Sequence, residues 1–184
     1  MSSPVKVALL AGKAVVLLYL LYLTIWMATS HAPQTPGYQP PVLIWLIDTI
    51  NLFIHEAGHF FFSPFGKFLY VLGGSFFQVL IPLVLAIVTF RQTPQHTAYP
   101  LFWTGESMVN VSPYIQDAPA MKLHLIAKGV MHDWNYLLQG HLDWAEPLGD
   151  LVFILGILLC TAAIATGIYF ATHAYREADD TIPE

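Results

Sequence analysis

Long apolar stretches constrain this chain more than any other feature of it. They run from about Val7 to Ala28, Pro41 to Phe62, Phe68 to Phe90, Tyr99 to Gln116 and Leu148 to Thr172. A helix needs about 20 mostly apolar residues to cross the hydrocarbon core of a bilayer, and most of these stretches are near that length. The polar surface needed to wrap a water-soluble globule is missing. Only 10% of residues are charged, against about 25% in an ordinary soluble domain. The expected fold is an all-α membrane protein, a compact bundle of about five transmembrane helices forming a single integral domain over residues 1–184.

The connections fit that reading. The first stretch has Lys6 and Lys13 ahead of or within it, like a signal peptide. SHAPQTPGYQPP follows it and matches a small-residue cleavage site poorly, so the stretch reads as a retained helix with a Pro-rich surface loop after it. SPFGK breaks the chain after the second stretch. A polar segment, Asp117 to Pro147, separates the fourth and fifth stretches. Interfacial helix is expected there, with Trp134 and Trp144 at headgroup level. Lys6, Lys67, Lys122 and Lys128 gather on one side if the N-terminus is cytoplasmic, with Arg91 and Arg176 on the other, which favours that orientation. The net charge is -5 and no basic run exists, so nucleic acid is excluded as a partner. The single cysteine, Cys160, cannot form an internal disulfide.

Against this background, NLFIHEAGHFFF at residues 51–62 is anomalous. Ionisable groups inside a bilayer cost several kcal/mol and are rarely idle. His55-Glu56-Ala57-Gly58-His59 is an H-E-x-x-H pattern. On a helix, residues i and i+4 share a face, so His55 and His59 can grip one zinc ion while Glu56 acts as general base. A catalytic zinc site takes a third protein ligand. Two polar stripes suggest where it lies. Asp48, Asn51, His55 and His59 are spaced 3, 4 and 4; Glu106, Asn110, Pro113 and Asp117 are spaced 4, 3 and 4. Each is one face of a helix. Polar stripes on membrane helices turn toward each other or toward a wet cavity, which would bring Asp117 toward the histidines.

These residues resemble the site-2 protease family of intramembrane zinc metalloproteases. That family carries HExxH on one membrane helix and an Asn-x-x-Pro-x-x-x-x-Asp-Gly element on a later one. Here the counterparts are HEAGH and Asn110-Val-Ser-Pro113-Tyr-Ile-Gln-Asp117-Ala. The likeness covers a protease-like core of about 42–138; the flanking helices, about 7–28 and 148–172, are not diagnostic. GESMVNVSPYIQDA and MHDWNYLL also resemble elements of small bacterial membrane proteins of this type. The resemblance implies zinc as cofactor, Asp117 as third ligand and Asn110 as a group that holds the substrate backbone or the oxyanion. The element departs from the family pattern in two places. Asp117 follows Pro113 one residue early, and Ala118 replaces the glycine. His132 and Asp133 therefore stand as alternative ligands, with Glu106 and Asp48 as possible supporting residues.

Gly73, Gly74 and Ser75, followed by Gln78, interrupt the third stretch. Such small residues serve close helix packing. The alternative is an irregular backbone edge that pairs with an unwound substrate, which is how the family uses a Gly-containing element after HExxH. The expected function is zinc-dependent hydrolysis of a peptide bond in a membrane-embedded substrate near the cytoplasmic face, in a bacterial inner membrane. The alternative is a non-catalytic subunit of a larger membrane complex that keeps the fold and metal site. A transporter would need polar residues through the full membrane depth, and the fifth stretch has almost none.

Overall fold

The computed structural model describes residues 3–33, 35–123 and 131–179. Among them the regular structure is helical, with no strand. The helices are α1 (Ser3–Ser30), α2 (Val42–Phe62), α3 (Lys67–Gln92), α4 (Ala98–Gln116), α5 (Asp133–Leu137) and α6 (Ala145–Asp179). Short 3-10 turns at Ser63–Phe65, Pro94–His96 and Leu142–Trp144 link them. Three segments are long and apolar enough to cross a membrane: Val7–Ser30, Lys67–Gln92 and Leu142–His173.

Helix boundaries follow the local chemistry. Pro41 cannot donate a backbone hydrogen bond and stands just before α2. Gly66, at φ +92°, makes the reversal between α2 and α3, a conformation open to glycine and costly for other residues. Hydroxyls of Thr24, Thr49, Thr89, Thr161 and Thr166 bond to the carbonyls of Leu20, Trp45, Leu85, Ile157 and Ala162, four residues back. This satisfies polar groups without water. Large apolar side chains such as Leu18, Phe53, Phe60 and Leu158 face outward, a surface suited to lipid and not to water.

The packing is built on small residues. α4 and α6 form the most extensive helix pair, then α2 with α3, α3 with α4, and α1 with α6. Along α4, Ala98, Gly105 and Ser112 recur every seven residues; along α6, Gly149, Gly156 and Ala163 do the same. The two series meet in antiparallel fashion. A β-carbon on Gly156 would lie 2.7 Å from the Gly105 carbonyl oxygen, and one on Gly149 would lie 3.0 Å from the Ser112 carbonyl oxygen. A seven-residue repeat keeps one seam of two helices in register. Leu23 and Met27 of α1, Ile44 of α2, Phe102 and Val109 of α4, and Cys160 and Ala163 of α6 form the apolar core. The Cys160 thiol donates to the Phe102 carbonyl, 3.6 Å away. Gly156→Val should force α4 from α6 and destabilise the detergent-solubilised protein by about 1–3 kcal/mol, the usual cost of overpacking. Thermal unfolding monitored by circular dichroism checks this.

α3 runs unbroken through Gly73, Gly74 and Ser75, all buried. Its backbone is engaged in the helix, and Gly73 and Gly74 take the close-packing role of the two readings. Gly73 and Gly58 are the contact between α3 and α2, where a β-carbon on either would strike the other's carbonyl oxygen. Between α4 and α6 the described helix is short, one five-residue α5 and a 3-10 turn. Lys128, one of the residues that set the expected orientation, lies outside the described residues, as does residue 34 of the Pro-rich loop. Lys6 and Arg176 fall in helical backbone, but their side chains are outside the description.

Candidate metal centre

The two polar stripes do face each other. The Asn51 amide donates to Glu106 Oε2 at 2.9 Å, and the Asn110 amide donates to Asp48 Oδ1 at 2.6 Å. Asn51 and Glu106 are completely enclosed, at 0% and 1% exposure. Trp103 Nε1 and the Ser107 hydroxyl both donate to Asn51 Oδ1, at 2.8 and 3.2 Å. A buried polar group without a partner costs about 1–3 kcal/mol, so this network also fixes α2 against α4, which otherwise touch over a short length.

The network has a polarity that ends at His55. Asn110 presents its NH2 group to Asp48, so its carbonyl faces Gln78 and accepts from Gln78 Nε2 at 2.8 Å. Gln78 then has only its carbonyl left for His55 Nδ1, 3.3 Å away. The His55 Nδ1 must therefore carry the proton, and Nε2 is left with a lone pair. His59 reaches the same state by another route. Its Nδ1 donates to the Tyr70 carbonyl at 2.8 Å.

Both Nε2 lone pairs point at one carboxylate. Asp133 Oδ2 lies 3.0 Å from His55 Nε2 and 3.1 Å from His59 Nε2. The three atoms lie within 4.8 Å of one another. Tetrahedral zinc with bonds of about 2.0–2.1 Å holds its ligand atoms about 3.3 Å apart, close to this spacing. With both imidazoles held in the Nδ1–H form, three acceptors converge with no donor among them, which is the chemistry of a cation site. Gly74 makes the room. A β-carbon there would lie 2.6 Å from His55 Nε2 and 2.7 Å from His59 Nε2.

Asp117 is not the carboxylate beside the histidines. It ends α4, and its two oxygens accept from the backbone N–H groups of Lys122 and Leu123, at 2.9 and 2.8 Å. The helix stripe that leads from Glu106 through Asn110 and Pro113 is real, but the chain leaves helical geometry at Asp117 and the carboxylate turns to the following loop. His132 lies beside it, 3.4 Å away, and is not among the converging atoms. Asn110 is occupied by Asp48 and Gln78, so its expected role with substrate gives way to a place in the network. Glu56 stands on the exposed side of α2 and lines the same cavity as His55, His59, Asp48, Lys67 and Tyr114. That cavity holds about 400 Å³ and extends along α2 from Asp48 to His59, about 16 Å at 1.5 Å per residue.

Sequence reasoning did not assign the supporting roles of Gln78, Tyr70 and Tyr114. Gln78 gave a signal, a lone amide in an apolar helix one turn beyond Gly74. Tyr70 contributes through its backbone carbonyl, which no side-chain pattern reveals. The Tyr114 hydroxyl accepts from the Asp133 backbone N–H at 3.0 Å, a contact made across a loop.

Comparisons with known protein families, curated proteins and solved structures found no match to this chain.

Proposed function

We propose that this chain is a zinc-dependent intramembrane endopeptidase resembling the site-2 proteases, with zinc held by His55, His59 and Asp133. The observation that carries the reading is the convergence of His55 Nε2, His59 Nε2 and Asp133 Oδ2, each histidine fixed with its proton on the far nitrogen. In this reading α2 and α4 also cross the membrane, giving five spans in a bacterial cytoplasmic membrane with the N-terminus inside. The other three spans shield the polar faces of these two from lipid.

Bound zinc would supply Lewis-acid polarisation of the scissile carbonyl and lower the pKa of water to about 7. The residues of the chain do the rest. Gln78 and the Tyr70 carbonyl keep both imidazoles in the ligand tautomer. The Glu56 carboxylate, free of the buried network, takes a proton from the attacking water and returns it to the leaving amine. The cavity admits water to the site and receives a locally unwound stretch of a membrane-embedded substrate.

Metal content of the detergent-purified protein tests the assignment, with wild type beside His59→Ala and Asp133→Ala. The expected result is one zinc per chain, lost in both variants. A wild-type protein that takes up no metal after zinc is supplied overturns the reading. It would leave an Asp133 carboxylate paired with a protonated histidine, in a non-catalytic membrane subunit.

A further inference from the structure

Asp133 does not sit on a long helix. It is the first residue of the five-residue α5, and its position has to be set by something other than a membrane-spanning rod. Its neighbours show how. Asp117, at the end of α4, is 4% exposed, and His132 is equally enclosed. The Asp117 carboxylate takes two backbone N–H groups, from Lys122 and Leu123, and so holds the chain just after α4. The same carboxylate lies 3.4 Å from His132 Nε2. His132 Nδ1 accepts from the Asn135 backbone N–H at 3.2 Å, so Nε2 carries the proton. That N–H is buried and has no hydrogen-bond partner, and the nearby carboxylate compensates it by charge. Next to this pair, Asn135 Nδ2 donates to the Ala118 carbonyl at 2.8 Å. The end of α4 and the start of α5 are thus joined residue to residue, at 117 with 132 and 118 with 135.

We propose that Asp117 and His132 are positioning residues for metal binding: the Asp117 carboxylate clamps His132 and the turn after α4, and so sets where the Asp133 carboxylate meets the two histidines. This rests on the reading of His55, His59 and Asp133 as the metal site. It gives the Asp of the Asn-x-x-Pro-x-x-x-Asp element a role one step removed from the metal. Asp117→Asn preserves shape but cannot do the same work. One amide oxygen replaces two carboxylate oxygens, and the NH2 group faces a backbone N–H or the His132 N–H, donor against donor. Supporting residues of this kind change metal affinity by about 10–100-fold.

Two measurements on the full chain in detergent test the clamp. The first is cobalt titration followed by visible absorption. Asp117→Asn should bind cobalt about 10–100-fold more weakly, yet at saturation show the wild-type absorption bands, because the ligand set is intact. Asp133→Asn should change the bands themselves. The second is hydrogen exchange on metal-free protein. Asp117→Asn should lose protection at residues 132–137 while α2, α4 and α6 keep theirs. Bands in saturated Asp117→Asn that shift as in Asp133→Asn would make Asp117 a ligand and overturn the proposal. Wild-type protection at 132–137 in Asp117→Asn would overturn it also, whether or not metal binds. Failure of wild type to bind cobalt, with protection lost in the variant, would overturn the metal site and leave the clamp as a purely conformational one.

Discussion

On the proposed assignment of the metal site, Gly74→Ala should leave the helix bundle folded and cost it most of its metal. The added methyl carbon would sit 2.6 and 2.7 Å from the two nitrogens that face Asp133. The α3 backbone is regular there and cannot retreat, whereas both imidazoles are side-chain ends and can rotate. They would turn out of line and lose their common focus. Helix propensity itself improves by about 1 kcal/mol on replacing glycine with alanine, so loss of fold is not the expected route. The neighbouring variant is the control. In Gly73→Ala the new carbon meets the Gly58 carbonyl and the Phe62 side chain, so that variant should lose thermal stability through the α2–α3 contact. Metal analysis beside thermal unfolding separates the two, and full metal content in Gly74→Ala would refute the placement of the site.

If the chain is the protease proposed above, Glu56→Gln should keep its metal and lose hydrolysis by about 10²–10⁴, the range that a positioned general base supplies. Glu56 takes no part in the buried network and lines the cavity from the exposed side of α2. Its replacement by an amide removes the proton acceptor and nothing that folds the protein. Cleavage of reporter membrane proteins by the purified protein in liposomes, wild type against variant, measures this. Equal rates would remove Glu56 from the chemistry. A variant that loses metal as well would place Glu56 among the ligands.

The sequence showed the paired histidines more clearly than the carboxylate that meets them. The pairing of His55 with His59 follows from helical spacing alone, and the stripes Asp48–Asn51 and Glu106–Asn110 met as their periodicity required. Periodicity fails where a helix ends. Asp117 continues the α4 stripe on paper, yet it is the residue at which helical geometry stops, and backbone N–H groups of the next turn claim its carboxylate. Asp133 reaches the histidines through a loop, and loop closure leaves no periodic trace in a sequence. The glycines left two readings open. Gly73 and Gly74 suggested a broken helix, but their neighbours on α2, Gly58 and the two histidines, needed an unbroken helix with no side chains in the way. The seam of Ala98, Gly105 and Ser112 against Gly149, Gly156 and Ala163 was legible as a seven-residue repeat once both helices were known to be partners.

The network between α2 and α4 bears on how such a chain enters a membrane. α4 carries Glu106, Asn110 and Ser107 on the face that meets α2, and charged groups at mid-membrane cost about 2.5–3.5 kcal/mol each during insertion. Its partners are made at different times, α2 and α3 before it and α6 after the loop. A ribosome that has delivered α4 has not yet delivered the glycine seam that holds it. In the proposed five-span reading this helix has to wait, at the bilayer surface or within the insertion machinery, until α6 emerges to take it in.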